Sequence, residues 1–568
     1  MLQYDSYTRD RIRQLVERLR GKIYREVRPA AEVLVSPAVG RITRDEAQGL
    51  AYRPAELGEQ FGPQWATFWF RVRATVPPEW RGERVDLLWI SHSEATLWVG
   101  GQPCQGLNYE PASGDHSVRP DALLLERAVG GETLEFEVEM ACNKVFGYGQ
   151  GWETAPFRHV SEFVLDRCDV ALFDAEAWDF YHDFAVLQNL EAEGVGASKD
   201  LDPTWAGTLL RELNRVANTL DLDDRTTWPT ARGIVRALYE NRNATRVHEL
   251  SAIGHAHIDT AWLWPLAETY RKCVRSFSSQ LAYMERYPEF RFSCSQAQQY
   301  AWMKNGQPEL YARIKERVES GQWVPVGGTW VEPDCNLPSG EALVRQFLYG
   351  QRFFKREFGR YCREFWNPDV FGYNGQLPQI MRESGIARFL TQKLSWNRFN
   401  KPAHHTFTWQ GIDGSEVLTH FPPADTYNAL TTQGGTNEIA QLRANARQYK
   451  DHVRSRDSLM LFGYGDGGGG PTPRMLEVLR RVGDLQGVPR VAQRSSDEFF
   501  DRLEQDATAL PTMVGELYFE YHRGTYTSQA AVKRGNRKAE WILHDAEFLA
   551  AVATRLRGAA YPRAELGR

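Results

Sequence analysis

The chain has 568 residues, enough for several cores, with 42% hydrophobic content and 68 basic residues against 73 acidic ones for a net charge of −5. Both signs are mixed along its length, which excludes a basic footprint for nucleic acid or for an anionic membrane and favours a neutral or small polar substrate. Aromatic content of 12% with 18 Trp suits stacking on sugar faces, and seven scattered Cys form neither a disulfide framework nor a Cys-x-x-Cys metal site, which fits reduced thiols in a cytoplasmic protein.

The first residues, Met1 to Ser6, lead into a charged helix rather than a secretory apolar core, and no run of 18 apolar residues occurs, so a soluble intracellular protein is expected. Within a helical and extended segment over 1–62, residues 8–26 read as an amphipathic helix carrying Ile12, Leu15, Val16, Leu19 and Ile23. Over 63–175 the period changes to strands separated by turns such as Gly100-Gly101 and Gly130-Gly131, which predicts an antiparallel β-sandwich. A helical linker follows over 176–245, with Leu209, Leu210, Leu213 and Val216 on one side of a segment. Over 246–485 short apolar strands alternate with helices: 249–253, 291–294, 323–326, 365–366, 389–390, 417–421 and 459–462. Such alternation predicts an irregular parallel (β/α) barrel-like catalytic domain. Residues 486–568 form a connecting segment and the start of a helical bundle, with Ala539, Ile542, Ala546, Leu549 and Val552 at helical spacing. The expected fold class is thus multidomain α/β, with an N-terminal antiparallel β-sandwich and a C-terminal helical segment.

Three strand ends carry groups suited to chemistry. After the strand at 249–253 comes Gly254-His255-Ala256-His257-Ile258-Asp259, where i and i+2 spacing aims the His257 imidazole and the Asp259 carboxylate the same way, the plainer reading being a hydrogen-bonded histidine at a strand end, and Trp262 and Trp264 follow as pocket walls. Asp369 sits in Trp366-Asn367-Pro368-Asp369 at the end of a second strand, its plainer reading being a helix N-cap or Asx turn. Asp466 leads the run Gly467-Gly468-Gly469-Gly470, which lacks the Gly-Lys-Ser/Thr of a phosphate loop and reads either as close approach of backbone to a ligand or as a flexible turn. Trp330, in Gly327-Gly328-Thr329-Trp330, reads as pocket wall or plain packing. One imidazole with carboxylates is a mixed N/O donor set for Zn²⁺, or for Co²⁺ or Mn²⁺, with one carboxylate left over as a proton donor.

Gly-His-x-His-Ile-Asp-Thr-Ala-Trp-Leu-Trp-Pro at 254, Trp-Asn-Pro-Asp-x-Phe-Gly at 366 and Gly-Asp-Gly-Gly-Gly-Gly-Pro-Thr at 465 closely resemble glycoside hydrolase family 38, the class II α-mannosidases, in their cytosolic and bacterial branch. The resemblance implies a retaining α-mannosidase acting on terminal α-D-mannosyl residues of oligosaccharides. In it Asp369 is nucleophile and metal contact, His257 and Asp259 are metal ligands, and Asp466 is the second catalytic carboxylate, expected about 5 Å from the first. Tyr427, with Trp262 and Trp330, is a substrate contact. Some branches carry two adjacent aspartates where this chain has Asp466-Gly467. The resemblance also suggests an oligomer.

In the family a further ligand histidine comes from a His-Asp motif in the helical bundle. Here His544-Asp545 is the nearby His-Asp pair and reads as surface, and His522 is the other candidate. The chain is therefore expected to be truncated at its C-terminus. Two rival readings follow: a catalytically impaired carbohydrate-binding protein, and a metal-dependent polysaccharide deacetylase, against which the Trp-Asn-Pro-Asp motif argues.

Overall fold

The computed structural model describes residues 4–108, 119–145, 163–195, 201–244, 247–431 and 436–566. Two stretches of the predicted sandwich, 109–118 and 146–162, lie outside them. The chain divides into two compact units. The first comprises Met1–Cys294, Gln299–Val324 and Pro422–Asp506, and the second Ser295–Gln298, Pro325–Phe421 and Ala507–Arg568.

The first unit opens with a β-sandwich. A six-stranded sheet runs in the order Arg53–Pro54, Glu32–Val35, Thr67–Thr75, Thr133–Ala141, Glu94–Val99, Gln102–Asn108, and a four-stranded sheet in the order Tyr24–Pro29, Arg167–Phe173, Val85–Ile90, Asp121–Leu125. Side chains alternate across each strand, so Phe70, Val72, Phe136 and Val138 of one sheet meet Leu87, Trp89 and Val170 of the other in a shared core. The Phe70 and Trp89 rings meet edge to face at 5.1 Å. Burying each such aromatic contributes about 1.5–3 kcal/mol.

Strands before residue 63 belong to these sheets, and this corrects the helix expected over 8–26. It spans Asp5–Arg20 and stops at Gly21, because Tyr24–Pro29 pairs with Arg167–Phe173. Its stripe of Ile12, Leu15, Val16 and Leu19 is buried as expected. Three helices follow the sandwich, Ala175–Glu193, Pro203–Thr219 and Trp228–Leu238. Asp174 and Asp202 cap the first two by accepting from Ala177 N and Trp205 N, and Pro203 fills the first position, where its missing N–H costs nothing. The N-terminal helix lies on this layer, with Arg9 Nε donating to Glu191 Oε1 at 2.9 Å.

The same unit then builds a sheet in the order Trp323–Pro325, Phe292–Cys294, Glu249–His255, Asp457–Phe462, with Arg490–Gln493 also pairing the first half of the central strand. The ladders of Glu249–His255 to its neighbours are parallel. Helix Leu266–Arg286 carries a buried ionic cluster: Lys272 Nζ lies 2.7 Å and Arg275 Nη2 3.0 Å from Glu94 Oε2 of the sandwich, and Arg271 Nε lies 2.9 Å from Glu139 Oε1. Burial alone would push the Glu268 carboxyl up, but Arg271, Arg275 and Lys272 hold it down at about 2.

The second unit has a five-stranded sheet in the order Glu364–Trp366, Arg388–Leu390, Glu416–His420, Thr406–Gln410, Thr512–Val514. Each of the seven expected strands exists. Thr406–Gln410, Arg490–Gln493 and Thr512–Val514 were not anticipated, and the first forms an antiparallel hairpin with Glu416–His420 inside an otherwise parallel sheet. The turn Gly411–Ser415 allows it, with Asp413 accepting from Ser415 N at 3.1 Å. Helix Ala530–Arg557, followed by the short helix Arg563–Leu566, is closed by Gly558 at φ 64° and joined to its own unit through Arg345, whose Nη1 and Nη2 lie 2.6 and 2.7 Å from Glu547. Among the described residues no helix is long and apolar enough to cross a membrane.

Candidate active site

In the first unit, strand Glu249–His255 is buried from Leu250 onward, and the chain leaves it at Ala256. His257 then lies 3% exposed, with Nε2 3.4 Å from Asp259 Oδ1. Two contacts fix this turn from outside: Gln299 Nε2 donates to Ile258 O at 3.0 Å, and Asp259 N donates to Asp466 O at 3.2 Å. Ile258 and Gly467 form an antiparallel bridge, so the His257 turn and the glycine-rich run lie side by side.

The run is not a flexible turn, and the neighbours its backbone approaches closely are protein. A Cβ on Gly467 would stand 2.4 Å from Val145 O, and one on Gly465 2.2 Å from Asn428 Oδ1. The clash at 467 is with backbone, so that position demands glycine and leaves no room for the second aspartate of some family branches, whereas at 465 it is with the end of a side chain. Gly469 N donates to Ser276 Oγ at 2.8 Å, and Arg119 Nη2 donates to Gly470 O at 2.8 Å. Asp466 itself sits at φ 59°, a left-handed conformation that Asp tolerates better than most residues.

Tyr427 reaches this place because Ala429 pairs with Phe462 beside the strand Asp457–Phe462. Its hydroxyl donates to Asp466 Oδ1 at 2.6 Å, and its ring lies 4.8 Å from the His257 ring. His257, Asp259 and Asp466 each offer one donor atom within 4.8 Å of the others. An imidazole with two carboxylates at this spacing fits a divalent metal such as Zn²⁺, although Asp466 was anticipated as proton donor rather than as a member of the donor group. Trp262 is half-buried, its ring 5.6 Å from Trp264. Trp264 is buried, with Nε1 donating to Thr269 Oγ1 at 3.0 Å, so it packs the following helix rather than walling a pocket.

In the second unit, Asp369 ends a clamped turn. Asn367 N donates to Leu390 O at 3.0 Å, and the buried Tyr373 hydroxyl donates to Asn367 O at 2.9 Å. Asp369 caps no helix, since the next one starts at Leu377 with Gln376 before it. Its carboxylate forms an ion pair with Lys393, whose ammonium lies 3.6 Å from the centre of the Trp396 ring. Lys393 carried no signal in the sequence, because its neighbourhood to Asp369 comes from strand pairing. His522 lies beside Phe371 at 4.8 Å, and burial with nearby Lys393 draws its imidazole pKa down, against the pull of Asp369. Trp330 is half-buried, its Nε1 donating to Gln298 Oε1 at 3.0 Å, whereas Trp366 is fully buried core. His544 and Asp545 are exposed, 3.4 Å apart.

Residues 247–523 match the model of the glycosyl hydrolases family 38 N-terminal domain, 30–171 that of the alpha-mannosidase jelly roll domain, and 520–568 that of the alpha mannosidase middle domain. The chain is 45% identical over 553 residues to alpha-mannosidase 2C1 of Homo sapiens, covering 96% of this chain and 51% of that protein. It is 42% identical over 559 residues to alpha-mannosidase G of Dictyostelium discoideum (97% and 50%) and 38% identical over 545 residues to the alpha-mannosidase of Saccharomyces cerevisiae (90% and 48%). The chain thus spans about half the length of these relatives. In fold it is similar to the crystal structure of an alpha-mannosidase from Enterococcus faecalis V583, with TM-score 0.50 and 22% identity over 56% of this chain and 37% of that one. Three successive domain models and relatives along nearly its whole length agree: the chain belongs to glycosyl hydrolase family 38.

Proposed function

We propose that this chain carries the catalytic machinery of a retaining α-mannosidase that removes terminal α-D-mannosyl residues from mannose-containing oligosaccharides. The observation that carries the reading is the convergence of His257, Asp259 and Asp466 at the ends of two neighbouring strands, with Tyr427 donating to Asp466. The relatives named above are alpha-mannosidases.

In this reading His257, Asp259 and Asp369 hold a divalent ion of the Zn²⁺ type, with Co²⁺ or Mn²⁺ as alternatives. When bound, such an ion supplies a Lewis acid for the cis 2- and 3-hydroxyls of mannose. Asp369 attacks the anomeric carbon and forms a glycosyl-enzyme ester. Asp466 protonates the departing oxygen and then takes the proton of the incoming water, which returns Asp369 as carboxylate and mannose with its α configuration. Tyr427 holds the proton-transfer oxygen of Asp466 in place, and Trp262 and Trp330 contact sugar. The barrel-like catalytic domain, the domain limits read from the sequence and an oligomeric assembly belong to the same proposal. The seven cysteines, scattered without a disulfide-framework spacing, support a reducing, cytoplasmic location.

The test is hydrolysis of 4-nitrophenyl α-mannoside with added Zn²⁺ or Co²⁺, beside Asp369→Asn. Metal-dependent turnover that the variant loses by about 10⁴-fold supports the reading. A folded, metal-loaded chain without turnover overturns it.

A further inference from the structure

The first unit contains a cavity of about 520 Å³ that none of His257, Asp259, Asp466 or Tyr427 lines. It opens between the start of sandwich strand Asp121–Leu125, the helices Ala175–Glu193 and Leu266–Arg286, and the N-terminus of the ten-residue helix Pro473–Val482. Its volume falls in the range of about 300–1,000 Å³ usual for small-molecule sites.

Its walls hold more hydrogen-bond donors than their acceptors satisfy. Arg119 Nε, a donor, and His182 Nε2, a donor in one of the two neutral tautomers of the ring, are buried without a hydrogen-bond partner, on residues 6% and 2% exposed. Leaving such a donor unpaired costs about 1–3 kcal/mol, so both call for an acceptor from outside the chain. Arg84 and Arg474 also line the cavity but are committed: Arg84 Nε and Nη2 lie 2.7 and 2.8 Å from the Asp86 carboxylate, and Arg474 Nε lies 2.6 Å from Glu438 Oε1. Arg286 forms no ion pair within 4.0 Å among the described residues, while Asp121 accepts from the Tyr24 hydroxyl at 3.3 Å. Against these donors stand the aromatic faces of Trp178, Tyr181 and Tyr283.

Acceptor-only chemistry of compact, multiply charged form satisfies this set best. A phosphate group presents several oxygens to guanidinium N–H groups, to an imidazole N–H and to the positive end of a helix. A ring attached to it would lie on the aromatic side. We propose that this cavity is a second binding site, separate from the hydrolytic one, for a small phosphate monoester bearing a ring: its phosphate on Arg119, Arg286 and His182, its ring against Trp178 and Tyr181. A sugar and a nucleoside share this chemistry.

The experiment is isothermal titration of the full chain with glucose 6-phosphate, adenosine monophosphate and inorganic phosphate, repeated on Arg286→Ala and Trp178→Ala, with far-UV circular dichroism to confirm folding. Arg286 is chosen because Arg119 also holds the loop of Asp466. The proposal expects one monoester to bind more tightly than inorganic phosphate, and Arg286→Ala to weaken it about 10-fold or more. Trp178→Ala should weaken the monoester but not inorganic phosphate, and which monoester binds tells sugar from nucleoside. No binding by the wild-type chain, a monoester no tighter than inorganic phosphate, or affinity unchanged in a folded Arg286→Ala variant would overturn it.

Discussion

The hydroxyl of Tyr427 donates a 2.6 Å hydrogen bond to Oδ1 of Asp466, while the backbone oxygen of Asp466 accepts from Asp259 N. The residue proposed as proton donor is therefore held at both ends by its neighbours. A hydrogen bond to a carboxylate favours the charged form and lowers its pKa. Tyr427→Phe removes that hydrogen bond from the carboxylate and so disfavours its charged form. An acid catalyst acts protonated, so the basic limb of the pH–rate profile should move upward while kcat falls. An unmoved basic limb would show that Tyr427 does not control this proton.

Asp466→Asn separates the two roles open to Asp466. The amide keeps the shape but cannot transfer the proton, so turnover of mannosides with poor leaving groups should fall about 10²–10⁴-fold, while activated aryl mannosides suffer less. Metal content should remain, since the ligand roles are assigned to His257, Asp259 and Asp369. Loss of bound metal in parallel with turnover, read by mass spectrometry of the metal, would make Asp466 a ligand instead.

Lys272 and Glu94 join the helix Leu266–Arg286 to the sandwich at a buried position. Lys272→Met leaves Glu94 with Arg275 and Asn143 as its polar neighbours. It should cost about 3 kcal/mol, seen as a lower thermal midpoint. Adding Glu94→Gln should recover part of the loss. Equal midpoints for wild type and Lys272→Met would refute the account.

His182 gives the fold an acid sensitivity. Burial, with Arg481 adding repulsion, lowers its pKa from 6.5 to about 3, so between these values the unfolded chain binds the proton that the folded chain refuses. Stability from this group is thus complete above pH 6.5 and lost as pH falls toward 3. The loss amounts to roughly 3 kcal/mol between pH 7 and pH 4. In urea unfolding at the two pH values, His182→Gln should narrow the difference by about that amount. An unchanged difference would mean that His182 is charged in the folded chain.

Gly467→Ala places a Cβ 2.4 Å from a backbone oxygen, which cannot rotate away. We expect a destabilisation of about 1–3 kcal/mol together with reduced turnover. A variant as stable and as active as wild type would show that the loop has slack.

Sequence pattern revealed what local rules govern. His257 and Asp259 could be placed because a buried strand precedes them, and the helix stripe from Ile12 to Leu19 because its period is 3.6. The hairpin at 406–420 escaped notice although Thr406–Gln410 alternates polar and apolar residues, because the strand is only five residues long and its antiparallel pairing is decided by the neighbouring strand. Lys393 escaped for another reason: 24 positions separate it from Asp369 in the numbering, and register alone brings them together. The glycine run left close approach and a flexible turn both open, because composition says nothing of what surrounds a loop. Val145, Asn428 and Ser276 crowd it from three distant parts of the chain.

Those three neighbours settle the loop's dependence on the rest of the molecule. Val145 and Arg119 come from the jelly-roll region, which contributes no residue to the proposed chemistry, yet they form the mould in which Asp466 takes its shape. A fragment cut to residue 247 onward would keep His257, Asp259 and Asp466 and lose the mould. The half of this chain that carries the proposed chemistry thus takes the shape of one of its loops from the sandwich, which is a structural part of the tool rather than a handle.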